Sequence, residues 1–287
     1  MIQMERKFFP IRLMCDLLEL SPSGYYAWLE RSKNPVKVIQ DQEILQLILE
    51  AHKKSRQTYG VPRMTDELRD HGYRVNHKRV ARIMRENGIR GLPEKKFKVT
   101  TDSKHKLPIA ENLLNQEFDV PKPNQVWASD ITYISTGEGW MYLGVVIDLY
   151  SRKVVGWSMD KRMTTGLVVN ALKMATGMRD PGEGLMHHSD RGSQYASGKY
   201  QEILREKKIK VSMSRKANCY DNAVVESFFG TLKQELIHRR RFATRAAARV
   251  AVEDYVEVFY NRIRKHSTLG YLSPVNFETL HPAGKAA

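Results

Sequence analysis

The stretch "VWASDITYIST", residues 126–136, decides the fold. Its β-branched and aromatic residues alternate with small and polar ones, which predicts a half-buried strand. On such a strand Trp127 and Tyr133 share one face, and Asp130 lies on the other face among apolar neighbours. An acid in that position costs free energy unless it is paired with a cation. Asp130 is therefore either half of a buried ion pair or a metal ligand.

The chain around this strand predicts a mixed α/β sheet. Two further apolar strands, "WMYLGVVIDLY" and "RKVVGWSM", follow a "GEG" turn, and later segments alternate between helix and strand. The later elements are predicted as helix 163–178, strand 184–190, helix 195–207, strand 209–213, helix 222–236 and helix 241–264. Three strands followed by alternating helices and strands indicate a sheet with helices on both faces.

Two more acids have positions that suit chemistry. Asp190 ends the strand "GLMHHSD", and functional residues collect at the carboxyl ends of strands in such sheets. Glu226 lies among large apolar residues early in the helix "NAVVESFFGTLKQE". Together with Asp130 these oxygens could form a hard-cation site. A buried ion pair for Asp130, a turn-capping role for Asp190 and an exposed polar face for Glu226 remain alternatives.

We expect structural or phosphate-contacting roles for three features near these acids. Asp221 stands where the helix of Glu226 should begin, which predicts an N-cap. Lys233 lies two turns beyond Glu226 on nearly the same face, which suits a phosphate further along. His187 and His188 could be a soft-metal pair, but without a second cluster a packing or phosphate-facing role is favoured.

Composition points to a polyanionic partner. The 287 residues carry 47 Lys plus Arg against 32 Asp plus Glu, a formal net charge of +15. Such an excess favours nucleic acid, because neutralising phosphates releases counterions. Two cysteines without a CxxC pair indicate neither a disulfide framework nor zinc, and fit a reducing compartment. Since no apolar run approaches 18 residues and "MIQMERKFFP" lacks a signal-peptide core, we expect a cytoplasmic protein without a membrane partner.

The first part of the chain is predicted to be helical. Residues 9–31 are typical of two short helices around "SPSG", either a helix-turn-helix or a plain helical hairpin. Residues 41–91 predict three more helices, and the last has a basic face that includes Arg79 and Arg82. A face of one sign suits DNA phosphates, and a merely solvated face is the alternative.

A basic segment links the helical part to the sheet. Residues 74–108 hold 11 Lys or Arg and three acids, and from Gly91 onward the segment lacks an apolar period. We interpret it as a basic linker able to lie along a DNA backbone, with Lys95 and Lys96 among the contacting residues.

Long motifs give the chain a family resemblance. "WASDITYI", "VVIDLYSRKVVGW", "HSDRGSQY", "SRKANCYDNAVVESFFGTLKQE" and "YNRIRKHSTLGYLSP" resemble the DDE transposases of bacterial insertion-sequence family three, which are related to retroviral integrases. The resemblance runs through essentially the whole chain, including "YGVPRMTDEL". It implies an RNase H-like α/β core behind N-terminal helix-turn-helix units. It also implies a catalytic and metal-binding triad at Asp130, Asp190 and Glu226, and a DNA-end contact at Lys233.

The same resemblance sets expectations for cofactors and partners. It implies two Mg²⁺ ions, for which Mn²⁺ should substitute, and double-stranded DNA bound by a homo-oligomer at element ends and target. It further implies a fusion to, or pairing with, the product of an upstream frame, and a nucleoid-associated location. The zinc-binding His/His/Cys/Cys unit of retroviral integrases has no counterpart here. The predicted segments are a helix-turn-helix-like 1–36, a second helical DNA-binding unit 37–92, a basic linker 93–122, a catalytic core 123–238 and a C-terminal helical extension 239–287.

The function predicted from these features is metal-dependent 3′-end cleavage and strand transfer by a transposase, with the catalytic frame on this chain. Two alternatives use fewer of the features. A helix-turn-helix regulator would need the helical units but no acidic triad. An RNase H-type nuclease would need the metals but would not join DNA strands.

Overall fold

The computed structural model describes residues 2–32, 35–92, 108–215 and 219–282. The chain divides into two compact units, Met1–Arg90 and Gly91–Ala287. Lys95 and Lys96, with the predicted linker up to residue 107, lie outside the described residues. None of the described helices is both long and apolar enough to cross a bilayer.

The first unit is entirely helical over its described residues. Its helices are α1 (Ile2–Glu5), α2 (Ile11–Leu17), α3 (Pro22–Ser32), α4 (Pro35–Lys54), α5 (Val61–Asp70) and α6 (His77–Glu86). The break at "SPSG" is confirmed, because the Ser21 hydroxyl accepts a hydrogen bond from Gly24 N at 3.0 Å where α3 starts. Ile48, Met64 and Val80 close a small core between α4, α5 and α6. The three helices predicted over 41–91 are confirmed.

The second unit is built on a five-stranded sheet. Its elements are β1 (Val126–Thr136), β2 (Gly139–Asp148), β3 (Val154–Asp160), α7 (Thr165–Met178), β4 (Met186–Ser189), α8 (Gly198–Glu206), β5 (Lys210–Met213), α9 (Ala223–Glu235), α10 (Arg245–Glu253) and α11 (Pro274–Leu280). The strand order is β3-β2-β1-β4-β5, antiparallel from β1 to β3 and parallel from β1 through β4 to β5. The predicted mixed sheet, and the bounds of its first strand, are confirmed.

Helices cover both faces of the sheet. On one face Trp127, Val146 and Val155 pack with α7 and α8. On the other face Ala128 and Leu143 pack with residues of α9 and of the C-terminal segment. The alternation seen in the sequence therefore sends neighbouring residues of β1 into two separate cores, as a sheet between two helical layers requires.

The C-terminal segment belongs to this core. Phe242, Val252 and Tyr255 lie in the same apolar cluster as the strands, and Gly137 N donates to Phe242 O at 2.8 Å. The segment predicted as an extension, 239–287, thus lies within the unit that holds the sheet. Its helix begins at Arg245 rather than 241, because Phe242 forms a bridge with Thr136 of β1 and Thr244 caps the helix. A π-helical stretch, Asp254–Tyr260, continues α10.

Gly156 on β3 permits the close packing of α7 on the sheet. A Cβ at Gly156 would lie 2.3 Å from the carbonyl oxygen of Ala171 and 2.7 Å from the Ala175 Cβ. Since backbone atoms cannot yield as a flexible side chain can, we expect Gly156→Ala to lower the free energy of unfolding by about 1–3 kcal/mol. Thermal and urea unfolding of the purified chain measure this.

The matched control is Gly177→Ala near the end of α7. An added Cβ there meets no described atom within 4 Å, so stability should stay unchanged or rise by up to about 1 kcal/mol. Equal stability of the Gly156→Ala variant and the wild type would show that α7 does not pack as closely as described.

Candidate active site

The strand register places two of the three candidate acids side by side. β4 pairs with β1 in parallel, ending with Ser189 opposite Ser129. The next residue on each strand is Asp190 and Asp130, respectively. Beyond that point β1 continues to Thr136 paired with β2, while β4 has ended. The two acids thus stand where the parallel pairing opens.

The Asp130 carboxyl is buried close to another negative charge. Burial, and next the negative charge of Asp190, raise the pKa of Asp130 well above its usual range. A hydrogen bond from Ile131 N, 2.7 Å from Oδ1, opposes this shift. The alternative of a buried ion pair is not observed for Asp130, because among the described residues no Lys or Arg forms a salt bridge with it.

Helix α9 brings the third acid and a cation to this place. Val225, Phe228 and Leu232 anchor α9 in the core, which leaves Glu226 and Lys233 only half-buried. The charge of Glu226 contributes to raising the pKa of Asp130, and that of Lys233 lowers it, so both lie within electrostatic reach. Burial raises the pKa of Glu226 and lowers the pKa of Lys233. The structure therefore places Asp190, Glu226 and Lys233 within electrostatic reach of Asp130.

The oxygens fit a hard cation in chemistry, although they are not drawn together. Within the described ranges, no three His, Cys, Asp or Glu side chains already stand close enough to ligate one ion. Like charges repel one another, which keeps the carboxylates of Asp130, Asp190 and Glu226 apart. Oxygen ligands are those that Mg²⁺ prefers, and a cation would relieve the repulsion that raises the pKa of Asp130.

The histidine pair turns out to be structural. His187 Nε2 lies 2.8 Å from the Ser129 hydroxyl and 2.9 Å from the Tyr200 hydroxyl, and joins β4 to β1 and α8. His188 lies 2.8 Å from Ser212 Oγ on β5. Burial lowers the pKa of His187 to about 3 and that of His188 to about 4, so both stay neutral. The packing role is the one observed, and these contacts fix the strands beside Asp130.

The predicted N-cap at Asp221 is wrong. Asn222 precedes α9 and makes no side-chain cap, whereas Asp221 is fully buried in a 3₁₀ turn. Its carboxylate accepts from the Arg215 guanidinium at 2.8 Å and from Gln116 at 2.9 Å. The hydrogen bonds of Arg215 hold the pKa of Asp221 well below its usual range. The residue is structural, but it joins three segments of chain rather than capping one helix.

The predicted DNA-contacting arginines have an acidic partner. Arg79 Nη2 lies 2.6 Å from Asp41 Oδ1, and Arg82 Nη2 lies 2.5 Å from Asp41 Oδ2. Arg82 also pairs with Glu86 at 2.8 Å. Both side chains keep partial exposure, so the contact with phosphate stays a prediction.

Sequence reasoning missed Tyr195, which it treated only as the start of a helix. Its ring is buried beside Tyr200 and His187, and its hydroxyl has no hydrogen-bond partner among the described residues. Burial, and next the charge of Asp130, raise the pKa of Tyr195 well above its usual range. The sequence feature that could have linked Tyr195 to the acids is its place five residues after Asp190 in "HSDRGSQY".

Each of the two units contains residues that match a known protein family. Residues 120–219 match one family described as an integrase core domain, and residues 226–281 match a second family with the same description. Residues 40–97 match an HTH-like domain. The fold and acids therefore define an enzyme with an RNase H-like integrase core behind a helix-turn-helix-like domain.

Relatives of full length narrow this class. The chain is 46% identical over 281 residues to the transposase InsF for insertion sequence IS3A of Escherichia coli (strain K12), covering 96% of both chains. It is 46% identical over 265 residues to the insertion element IS600 uncharacterized 31 kDa protein of Shigella sonnei, covering 92% of this chain and 97% of that one. The chain belongs to the IS3 family of transposases.

Solved integrase structures are more distant. The simian T-cell lymphotropic virus intasome in complex with PP2A regulatory subunit B56 gamma gives a TM-score of 0.47 at 20% identity, covering 65% of this chain and 62% of that chain. The HTLV-2 integrase catalytic core domain in complex with magnesium (trimeric form) gives 0.41 at 20% identity, covering 54% and 97%.

The hydrogen bonds of His187 generate a pH-dependent prediction. We expect His187→Gln to lower the free energy of unfolding at pH 7 by about 1–3 kcal/mol, because a buried hydroxyl loses its partner. Folding depresses the pKa of His187 from 6.5 to about 3, so its contribution is fully present above 6.5 and declines as the pH falls. The difference between the variant and the wild type should therefore shrink by about 1.4 kcal/mol per pH unit below 6.5.

Urea unfolding of both proteins between pH 7.5 and 4.5 measures this difference. His238→Gln changes an exposed histidine and serves as the control, which should follow the wild type throughout. A His187→Gln difference that stays constant over this range would contradict a neutral, buried His187.

Proposed function

We propose that Asp130, Asp190 and Glu226 form the metal-binding catalytic triad of this transposase. The proposal is carried by one observation: the parallel register of β1 and β4 sets Asp130 beside Asp190 where the pairing ends, and burial together with the charges of Asp190 and Glu226 raises the pKa of Asp130 there. Acids with strongly perturbed pKa values in such a position are typical of functional sites.

The reaction we propose is 3′-end cleavage followed by strand transfer. When bound, two Mg²⁺ ions would activate the attacking oxygen and stabilise the leaving 3′-oxygen, and Mn²⁺ should substitute for them. The carboxylates of Asp130, Asp190 and Glu226 would hold and orient these ions. No side chain of the protein becomes covalently attached to DNA. In the first step water attacks the phosphodiester at the element end and frees the 3′-hydroxyl. That hydroxyl then attacks a second phosphodiester, and the 3′-oxygen of the attacked linkage leaves as the new bond forms. By resemblance to the family, the first such attack is on the same strand at the other end of the element.

Lys233 has the position of a DNA-positioning residue. It lies on the same helix as Glu226, near Asp130, and burial lowers its pKa while Asp130 opposes that shift. An ammonium cannot ligate a metal but can hold a phosphate beside one. We infer that Lys233 holds the phosphodiester of the DNA end.

The remaining basic surface would supply most of the affinity for duplex DNA. The helical unit presents Arg79 and Arg82, whose guanidinium groups have more N–H donors than Asp41 alone can accept. Lys95 and Lys96 would add contacts along the backbone. We propose that the chain acts as a homo-oligomer on DNA in the nucleoid, together with or fused to the product of an upstream frame.

The two alternative functions, a DNA-binding regulator and an RNase H-type nuclease, account for fewer features of the site than a transposase does. A regulator that only binds DNA gains nothing from the strained Asp130. An RNase H-type nuclease would use the acids but would give no joined product. Joining of an end-bearing oligonucleotide to a second duplex separates a transposase from that nuclease.

Glu226→Gln tests the triad. The change keeps size and removes charge from a half-buried side chain, so the protein should fold and bind DNA. We expect Mg²⁺-dependent nicking of an end-bearing duplex to fall by several orders of magnitude, since one ligand is lost.

Lys233→Ala should weaken DNA-end binding while leaving Mg²⁺ binding, measured by calorimetry, unchanged.

Two controls accompany this measurement. Glu206→Gln makes the same substitution at an exposed position of α8 and should leave nicking unchanged. Asp221→Asn breaks a charge-assisted hydrogen bond, so it should cost about 1–3 kcal/mol of stability, without altering the Mg²⁺ requirement. A fully active Glu226→Gln, or a stable but inactive Asp221→Asn, would reverse the assignment of these two acids.

A further inference from the structure

Two large aromatic side chains lie exposed at the hairpin end of β1 and β2. Tyr133 is 45% exposed and Trp140 is 51% exposed. Their rings meet edge to face, with centroids 5.0 Å apart and an interplanar angle of 83°. Such pairs normally lie inside a core or an interface, because each ring offers a large apolar area. An exposed pair of this kind marks a surface that binds something.

The strand register explains why the pair is open. Ser135 pairs with Trp140 and Tyr133 pairs with Tyr142, so these side chains share one face of the sheet. Helix α7 covers that face further along, where Leu167 lies over Gly144. The aromatic pair stands beyond the helix, at the hairpin end of β1 and β2. Its exposure follows from the layout of the sheet rather than from a loose loop.

Cations flank the pair on both sides. Lys233 Nζ lies 5.2 Å from the centroid of the Tyr133 ring, a cation–π distance. Arg245 Nε donates to the Trp140 carbonyl at 3.1 Å. Within the described part of the chain neither side chain forms a salt bridge, and Glu138 accepts only from the backbone N of Arg245. Two aromatic faces between two available cations suit a base with its flanking phosphates.

The pair is within reach of the chemistry. Tyr133 follows Asp130 by three residues on β1, a separation of about 10 Å along the backbone, and its side chain leaves the opposite face of the strand. Lys233 touches the Tyr133 ring and also acts on the charge of Asp130. A nucleotide next to the phosphate at the acids would therefore bring its base to the aromatic pair.

We propose that Tyr133 and Trp140 form a stacking site for an unpaired nucleobase of the strand being cleaved, with Lys233 and Arg245 holding the adjoining phosphates. The site deepens the proposed function and rests on it. The charges favour DNA over an apolar protein segment, which would leave both cations without partners. Because every base has a π-face, the site tolerates any sequence and selects for a base that has left the duplex.

The test uses the full chain and a defined probe. The probe is a 20-base-pair duplex of arbitrary sequence with three unpaired nucleotides at one 3′ end, one of them 2-aminopurine, in EDTA so that no cleavage occurs. Stacking should quench 2-aminopurine in the wild type. Trp140→Ala and Tyr133→Ala should abolish the quenching and weaken binding of this probe about 5- to 100-fold. A fully paired duplex should bind all variants alike.

Controls make the result specific to the aromatic faces. Trp140→Phe keeps an aromatic face and should retain most of the quenching. Met178→Ala removes another exposed apolar side chain of the same unit and should change nothing. Melting curves check folding, which truncation of exposed side chains should leave intact.

Each outcome decides between the two claims. A wild type that nicks end-bearing DNA with Mg²⁺, beside a Trp140→Ala variant that still quenches, overturns the stacking site and leaves the proposed function standing. Equal weakening of the paired and the unpaired probe also overturns the stacking site, because the pair would then contact the duplex backbone. A wild type without Mg²⁺-dependent nicking overturns the proposed function, and the stacking site with it.

Discussion

Repulsion between like charges at the end of the β1–β4 pairing is the constraint on which the rest of the site depends. The register sets Asp130 beside Asp190, and α9 adds Glu226. Folding must hold these acids near one another although their negative charges repel. The protein core that surrounds them therefore has to be rigid, and the site is left ready for a cation.

Several buried contacts supply that rigidity. His187 joins β4 to the residue before Asp130 and to α8, and His188 joins β4 to β5. Asp221 joins the segment around Gln116 to Arg215 just before α9. Each contact fixes an element that carries or adjoins one of the three candidate acids. A loss at these positions should act on the site through position, whereas a loss at Glu226 acts on the chemistry itself.

The sequence predicted the elements that local residue pattern controls. It did not predict side-chain contacts that form only when separate elements pack together. The alternation in "VWASDITYIST" predicted β1 with its bounds, and motifs identified the three acids and the integrase-like core. Asp221 does not cap α9 because its carboxylate is held by Arg215, six residues earlier, and by Gln116, 105 residues earlier. The pairing of Arg79 with Asp41, 38 residues away, was equally invisible. Such contacts depend on how elements pack, which periodicity does not report.

The C-terminal segment shows the same limit. Its helical pattern was visible, but nothing local showed that Phe242 bridges to Thr136 or that Val252 enters the core of the sheet. The exposed Tyr133 and Trp140 likewise read as ordinary strand residues. Only the register, with the end of α7, shows that they face outward together.

Thermal unfolding with and without Mg²⁺ tests the central claim most directly. The wild type should melt at a higher temperature in Mg²⁺ than in EDTA, because the ion binds only the folded acids. Asp130→Asn should melt higher than the wild type in EDTA, since one repelling charge is gone, and should gain little from Mg²⁺. A wild type indifferent to Mg²⁺, or an Asp130→Asn variant stabilised by Mg²⁺ as strongly as the wild type, would contradict the account.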